Sequence, residues 1–211
     1  MSQIVGTFGI DPLPSGVEPW SIVAVLGTWL GAGLVAPFRS ALAAFSVLAL
    51  LAIMPARCRG WVAADLLGLS VVSGLLVARW WTEASGIPDD RRIAIDEVAG
   101  LLIALLPVLR SRPAVLALVT VLFVAVDRIK PWPVSAAESA DLPWSLGVML
   151  DDVTAGLVVA GALAIALPLH RRHRNGRKSR QAAPDGVPPD LRSRDCRRSG
   201  SICATLDVER K

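Results

Sequence analysis

The chain has 211 residues, of which 53% are hydrophobic and none is tyrosine, and its mean hydropathy is +0.53. These values lie far above those of an average soluble domain, so they argue against a water-soluble globular protein and predict an integral membrane protein. The net charge of +4 belongs to the end of the chain, because residues 170–211 hold 12 Lys and Arg against 5 Asp and Glu, whereas residues 1–169 hold 10 against 13.

Apolar segments along the chain predict helices, since a helix needs about 20 apolar residues to cross a bilayer. Six apolar segments lie between proline and glycine breaks, at residues 20–37, 40–54, 61–79, 93–109, 113–126 and 146–169. The segment 40–54 is short, and five of the six are expected to span. No sheet is expected, because an open sheet edge in lipid leaves backbone amides unsatisfied. The predicted fold is an all-α, polytopic membrane helical bundle over residues 1–169. A basic tail, residues 170–211, is expected to be disordered because it has too little apolar surface to bury.

Two acidic pairs stand at the start of apolar runs. Asp96 and Glu97 open the run IDEVAGLLIAL, and Asp151 and Asp152 open LDDVTAGLVVAGALA. An isolated ionised carboxylate is costly at membrane depth, so such groups are usually paired, metal-bound or functional. A single pair is also compatible with a solvated helix cap. Two similar pairs, together with Asp127, favour a functional site.

A glycine follows each acidic pair, Gly100 in the first run and Gly156 in the second. A helix N-terminus favours a carboxylate, and a glycine one turn later allows another helix to approach closely. The two helices are therefore predicted to bring four carboxyl groups together. Four anions repel one another, and the physical remedy is a divalent cation; oxygen ligands of this kind select Mg²⁺, Mn²⁺ or Ca²⁺ over zinc.

The segment DRIKPWP, residues 127–133, adds cations to the acids. Its prolines are expected to hold the chain extended after Lys130, because a residue before proline is disfavoured in the right-handed helical region. Arg128 and Lys130 then stand at the membrane surface, where guanidinium and ammonium groups suit a phosphate. The alternative is a lipid-interface loop anchored by Trp132. Three other tryptophans are interpreted as interfacial belt residues: Trp80, Trp81 and Trp144.

The strings IDEVAGLLIALLP, DRIKPWPV and LGVMLDDVTAG resemble, in this order and spacing, three motifs of the bacterial phosphatidylglycerophosphatase A family. These motifs are Asp-Glu-Val-x-Gly, Asp-x-x-Lys-Pro-x-Pro and Gly-x-Met-x-Asp-Asp, and the resemblance covers residues 74–165. It implies a Mg²⁺-dependent, multi-pass enzyme of the bacterial inner membrane that converts phosphatidylglycerophosphate to phosphatidylglycerol in phospholipid biosynthesis. The motif positions carry over six residues: Asp96, Glu97, Asp127, Lys130, Asp151 and Asp152.

The expected reaction is hydrolysis of a phosphate monoester at the membrane surface. The expected metal ligands are Asp96, Glu97, Asp151 and Asp152; the expected catalytic residues are Asp127, Lys130, Asp151 and Asp152; and the expected substrate-binding residues are Arg128 and Lys130. Either a water oriented by Mg²⁺ or one of the carboxylates attacks phosphorus. The histidines of the sequence, His170 and His173, both lie in the tail, which argues against a phosphohistidine phosphatase.

Two features depart from the family pattern. The opening segment FGIDPLPSGVEPWS, residues 8–21, keeps few of the glycines that the family has in its first loop, where backbone N–H groups can bind phosphate. Val124 stands where the family tends to have an arginine, and Arg128 is expected to compensate. A diverged homologue that acts on another phosphate ester is therefore an alternative.

Two other functional classes use the same residues. A cation transporter has buried acids along an ion path, but it has no need of a lysine beside them. A noncatalytic scaffold uses its basic tail to bind anionic lipid. The expected partners of the enzyme are a phospholipid substrate and the membrane, with no nucleic acid; the oligomeric state stays open. The cluster at residues 171–180 predicts a cytoplasmic C-terminus, and a straight last helix then puts Asp151 and Asp152 near the far side of the bilayer. The implied substrate instead places the site on the cytoplasmic side. Either the last helix is tilted or re-entrant, or the tail does not report the orientation.

Overall fold

The structure is a computed structural model, and it describes residues 9–14, 17–87, 90–139 and 144–181. This part of the chain is mostly helical, as the sequence predicts. Its seven α-helices are α1 Ile22–Gly27, α2 Arg39–Ile53, α3 Arg59–Ser85, α4 Ile95–Leu105, α5 Pro113–Ile129, α6 Val134–Glu138 and α7 Trp144–Gln181. Short 3-10 turns follow α1 and α4, at Ala32–Leu34 and Leu106–Val108.

The chain divides into two compact units, residues 1–164 and residues 165–211. All the candidate site residues belong to the first unit. In the second unit, α7 continues as far as Gln181, beyond residue 170, where the disordered tail was expected to begin. Residues 182–211, the remainder of that expected tail, lie outside the described residues, as do the side chains of the basic cluster at 171–180.

The apolar segment 20–37 does not form one long helix, so the prediction of a spanning helix there is wrong. Helix α1 ends after six residues, and the chain then turns through three left-handed residues, Trp29, Leu30 and Gly31. The side chain of Thr28 stabilises the turn, because its hydroxyl donates to the carbonyl of Ala24 at 2.6 Å and accepts from the N–H of Gly31 at 3.0 Å. Mean hydropathy does not register such a local break.

A small sheet also departs from the all-α prediction. Strand β1, Gly9–Ile10, pairs antiparallel with strand β2, Val35–Ala36. The rule against sheets applies to open edges exposed to lipid, and these strands of two residues are far too short to cross a bilayer. The pairing of the two segments continues one residue beyond β1, since the N–H of Asp11 donates to the carbonyl of Leu34 at 2.8 Å.

Two helical stretches in the described residues are long and apolar enough to cross a membrane, Arg59–Ala84 of α3 and Met149–Pro168 of α7. Only 33% and 22% of their most apolar windows are buried in the protein, so most of each surface is available to lipid. Large apolar side chains are exposed along them: Trp61, Leu69, Val72, Leu76, Leu157 and Ile165. Helix α2 is apolar but shorter, with 15 residues.

Helix α4 is the central element of the first unit. It contacts α2, α3 and α5, and nearly all of its side chains are buried. A helix that is apolar on every side is stable only inside a bundle, which explains why this short segment lies within the core. The first turn of α4 carries Asp96 and Glu97, so the bundle itself encloses two of the candidate site residues.

Candidate active site

Helices α4 and α7 touch backbone to backbone at the two glycines singled out in the sequence. A Cβ atom on Gly156 would lie 3.0 Å from the carbonyl carbon of Gly100 and closer still to its oxygen. A Cβ atom on Gly100 would meet the backbone carbonyl of Asp152 and, at 2.9 Å, the ring of Phe123. The prediction that these glycines let the two helices approach closely is therefore confirmed.

The two acidic pairs occupy different positions on their helices. Asp96 and Glu97 lie in the first turn of α4, where the helix dipole favours a carboxylate. Helix α7 already begins at Trp144, so Asp151 and Asp152 lie about two turns inside it and receive no such support. The expectation that both pairs stand at helix starts holds only for the first.

The acids of three helices meet near Asp152, whose exposed fraction is only 5%. Its carboxyl group lies within Coulombic range of Asp96 and Glu97 on α4, Asp127 on α5 and the adjacent Asp151. The side chain of Asp127 lies beside that of Asp152. The structure thus brings all five sequence-predicted acids into one neighbourhood.

Two carboxylate oxygens of this cluster are buried without a hydrogen-bond partner, Glu97 Oε2 and Asp152 Oδ1. The other oxygen of Glu97 accepts a hydrogen bond from the hydroxyl of Ser40 on α2. Asp96 Oδ1 accepts one from the N–H of Glu97 at 2.9 Å. Buried carboxylate oxygens are costly to leave unsatisfied, so each of these two oxygens is a position where a cation or a substrate donor is stabilised.

Lys130 joins this acid cluster to α6. It ends α5 in the left-handed conformation, with φ 48°, so it leaves the right-handed helix as expected but is not extended as predicted. Its Nζ donates to Asp151 Oδ2 at 2.8 Å and to Glu138 Oε1 at 2.7 Å. Burial alone lowers the pKa of an ammonium, but the hydrogen bonds and charges of Asp151 and Glu138 outweigh it and raise the pKa of Lys130 above its ordinary value. The group therefore stays positively charged.

Arg128 lies in the last turn of α5 with an exposed side chain. It is within Coulombic range of Glu97 and Asp127. The two cations thus reach the cluster from the same end of α5, one from the solvent-exposed surface and one in direct contact with Asp151. Guanidinium and ammonium groups at this position suit a phosphate ester.

A buried network before α4 was not anticipated from the sequence. Trp81 is fully buried, and its indole N–H donates to Asp90 Oδ2 at 2.9 Å, so its interpretation as a belt residue is wrong. Arg92 Nη2 donates to the same oxygen at 2.6 Å, and Arg92 Nη1 donates to the carbonyl of Pro12, also at 2.6 Å. Burial opposes ionisation of Asp90, but the hydrogen bonds from Arg92 and Trp81 and the charge of Arg92 hold its pKa below the ordinary value.

This network fixes the chain four residues before the first acidic pair. Arg92 is followed by the buried residues Ile93 and Ala94, and the N–H of Ala94 donates to the carbonyl of Gly27 at 2.8 Å. The start of α4 is therefore held against the end of α1. Trp80 is partly exposed and remains compatible with an interfacial position, whereas the side chain of Trp144 lies outside the described residues.

The donor set suits Mg²⁺ by its chemistry. Within the described ranges, no three His, Cys, Asp or Glu side chains are grouped closely enough to hold a metal by themselves. Mg²⁺ does not require such a group, because it usually keeps several waters and takes one or two protein carboxylates together with substrate phosphate. Glu97 Oε2 and Asp152 Oδ1 are two oxygens of this kind, both buried and unpartnered. The residues present therefore fit the metal that the family resemblance implies.

Comparison with known proteins now decides the family. The family model described as Phosphatidylglycerophosphatase A matches residues 25–167. The chain belongs to this family. It is 28% identical over 147 residues to phosphatidylglycerophosphatase A of Escherichia coli (strain K12), a match that covers 69% of this chain and 82% of that protein. No solved structure gives a significant match. The chain is accordingly a phosphoric monoester hydrolase by family.

The matched region is longer than the motifs suggested and begins at residue 25. The segment 8–21, in which the family's first loop was sought, lies outside the match and lies partly outside the described residues. The glycine-containing turn at residues 27–33 lies inside the matched region. Ser40, which donates a hydrogen bond to Glu97, follows at the start of α2 and also lies inside this region. The family segment therefore includes a loop and a helix start that adjoin the acid cluster.

Proposed function

We propose that this protein hydrolyses the phosphate monoester of phosphatidylglycerophosphate, releasing inorganic phosphate and phosphatidylglycerol, with Mg²⁺ as its cofactor. Membership of the family supports the reaction, and the E. coli relative carries that activity in its name. The observation that carries the proposal is the meeting of acids from α4, α5 and α7 beside the ammonium of Lys130, whose Nζ is 2.8 Å from Asp151. This combination of a cation, carboxylates and a metal suits hydrolysis of a phosphate ester.

The roles of the residues follow from their charges and burial. Lys130 and Arg128 bind phosphoryl oxygens, because ammonium and guanidinium groups suit a phosphate and both reach the cluster from the end of α5. Glu97 and Asp152 would offer their unpartnered oxygens to the metal, and Asp96 and Asp151 would complete the ligand set through water. When bound, Mg²⁺ supplies neutralisation of phosphoryl charge and lowers the pKa of a coordinated water.

Asp127 is suited to proton transfer, because its carboxyl group lies beside Asp152, one of the proposed metal ligands. In the reaction we propose, Asp127 removes a proton from water as its oxygen bonds to phosphorus, and the phosphorus–oxygen bond to the glycerol moiety breaks. The leaving alkoxide then takes the proton that Asp127 removed from water, which returns Asp127 to its carboxylate form. The other route is direct attack by a carboxylate, which forms an acyl phosphate. Trapping with hydroxylamine separates them: the water route gives no hydroxamate on any aspartate.

We further propose that the protein crosses the bacterial inner membrane several times and that its site faces the cytoplasm. The apolar stretches of α3 and α7 support membrane insertion. The exposed Arg91, beside the buried Asp90, offers a position for a reporter cysteine. In a variant whose three native cysteines are serine, Arg91→Cys should resist an impermeant maleimide in sealed cells and react after lysis. Labelling in sealed cells would place this loop outside.

Cation transport is the competing use of buried acids in a membrane. Lys130 argues against it, because a fixed ammonium 2.8 Å from Asp151 repels a cation on the same path. The two proposals also differ in assay, since only a phosphatase releases inorganic phosphate. A diverged homologue is tested in the same experiment by supplying phosphatidate and glycerol 3-phosphate beside phosphatidylglycerophosphate; faster turnover of either would reassign the substrate.

The decisive assay is phosphate release by purified protein from phosphatidylglycerophosphate in detergent micelles, with Mg²⁺ and with EDTA. We expect release with Mg²⁺ and none with EDTA. Asp152→Asn should lower kcat at least about 100-fold, because it removes both a metal ligand and the partner of Asp127. Asp65→Asn, the same change at an exposed position of α3, is the matched control and should leave kcat unchanged. Equal activity of both variants would refute the proposed site.

A further inference from the structure

The ammonium of Lys130 has two carboxylate partners that differ in their surroundings. Asp151 belongs to the acid cluster, and its side chain is only 17% exposed. Glu138 is the last residue of α6, and its side chain is 52% exposed. Both contacts are close, at 2.8 Å and 2.7 Å from Nζ. One partner is therefore fixed in the protein interior, whereas the other meets Lys130 from solvent.

The chain between Lys130 and Glu138 explains how this outer contact forms. After Lys130 the segment turns and forms α6, which is anchored by the fully buried Val134. The N–H of Ser139 closes the helix by donating to the carbonyl of Ser135 at 3.2 Å. The short, anchored helix α6 therefore places Glu138 next to Lys130. The side chain of Glu138 stays largely exposed to solvent, so it can leave Lys130 without disturbing the core.

A substrate phosphate must reach the same ammonium. Under the proposed function, the dianionic phosphate approaches from solvent. It does not displace Asp151 from Lys130, because Asp151 is the less exposed of the two partners. We propose that Glu138 occupies the phosphate-binding position on Lys130 in the substrate-free protein and is displaced by a phosphoryl oxygen of the substrate. This inference rests on the proposed function and identifies Glu138 as a residue that sets phosphate affinity.

Displacement of a carboxylate lowers the apparent affinity of Lys130 for every anion by the same factor. A terminal phosphate monoester carries more negative charge than a carboxylate, because its second pKa is about 6, so it still binds the ammonium strongly. A phosphodiester, such as the linkage that remains in the lipid product, carries a single charge and binds more weakly. Glu138 therefore keeps Lys130 from being occupied by weakly bound diesters and, by returning to Lys130, favours departure of inorganic phosphate after the reaction.

A role of Glu138 as competitor of phosphate and a role as mere support of Lys130 predict different phosphate binding when Glu138 is neutralised. If Glu138 only positioned Lys130, its neutralisation would loosen the ammonium, weaken phosphate binding and lower kcat. If Glu138 competes with phosphate, its neutralisation removes the competitor and strengthens phosphate binding. The two roles therefore change the same binding constant in opposite directions, and the KM-against-kcat split gives a second distinction.

The test compares Glu138→Gln with Glu83→Gln, a matched control. Glu83 is 58% exposed and pairs with Arg79 at 3.2 Å, so it resembles Glu138 in exposure and in having a cationic partner. Binding of inorganic phosphate is measured by ³¹P NMR titration with Mg²⁺ present, and KM and kcat are measured on phosphatidylglycerophosphate. We expect Glu138→Gln to bind phosphate about 2- to 5-fold more tightly, with a KM lower by the same factor, because exposed ion pairs have modest strength. Glu83→Gln should match the wild type.

Unchanged or weaker phosphate binding by Glu138→Gln would overturn the proposal. Glu138→Ala provides a second variant, with the same expected direction, should the amide retain a hydrogen bond to Lys130. The titration also separates the two proposals. If the wild type releases no phosphate from phosphatidylglycerophosphate, the proposed function fails, yet the relative phosphate affinity of the two Gln variants still decides whether Glu138 competes for Lys130.

Discussion

Replacement of Gly156 by alanine tests the helix crossing on which the site depends. The added Cβ would lie 3.0 Å from the carbonyl carbon and 3.2 Å from the Cα of Gly100, and closer still to the carbonyl oxygen. These distances are shorter than the ordinary contact range of 3.4–4 Å. Backbone on both sides leaves no side chain to rotate away. Helices α4 and α7 must therefore separate, and a displacement of about 1 Å at reacting groups is enough to lower turnover about 100-fold.

The expected result is a large loss of kcat with a smaller loss of stability. Overpacking of this kind destabilises by about 1–3 kcal/mol, which thermal unfolding in detergent detects. Gly161→Ala is the matched control on the same helix, because its Cβ meets nothing within 4 Å. That control should keep wild-type kcat and should gain stability, up to about 1 kcal/mol from helix propensity. Wild-type kcat and stability in Gly156→Ala would refute the close crossing.

Two further predictions concern residues that support the start of α4 and its acids. The pKa of Asp90 is lowered in the folded protein, so its ionised form adds stability at every pH above the ordinary value of 3.8, and this contribution is lost as the pH falls through the lowered pKa. The Tm difference between wild type and Asp90→Asn should therefore be constant above about pH 5 and shrink in stronger acid; a difference independent of pH would contradict the ion pair with Arg92. Ser40→Ala removes the hydrogen bond to Glu97 and should lower phosphate release at least about 10-fold, as loss of a hydrogen bond to a charged group costs about 1.5–3 kcal/mol. Ser46→Ala, on the same helix, removes the acceptor of the Trp29 indole N–H instead of a contact with the acids, so it should leave phosphate release unchanged, and equal rates for both variants would exclude this role of Ser40.

The sequence predicts most helices because their signal is local. The apolar run 40–54 ends before Pro55, the run 113–126 begins at Pro113, and the two runs coincide closely with α2 and α5. The run 20–37 has the same apolar composition, but left-handed residues and the side-chain hydrogen bonds of Thr28 interrupt it. The interruption depends on backbone angles, which mean hydropathy does not contain. Strands of two residues are likewise too short to leave an alternating pattern.

The acids of the site are predictable for a different reason. Carboxylates inside apolar runs are unusual, and the glycine after each pair indicates which helices meet. Ser40 and Glu138 are single polar residues in unremarkable positions, and only the tertiary structure brings them to Glu97 and Lys130. Trp81 shows the limit of composition: an interfacial tryptophan and a buried one look alike in sequence, and the partner that decides, Asp90, lies nine residues away.

The central claim is that acids from different helices form one cation-binding site, and Mn²⁺ binding observed by EPR tests it most directly. We expect one saturable site in the wild type, competed by Mg²⁺, and at least about 10-fold weaker binding in both Glu97→Gln on α4 and Asp152→Asn on α7. The double variant should lose less than the sum of the two single losses, because both residues serve the same ion. Wild-type Mn²⁺ affinity in either single variant, or no saturable site in the wild type, would contradict the shared site.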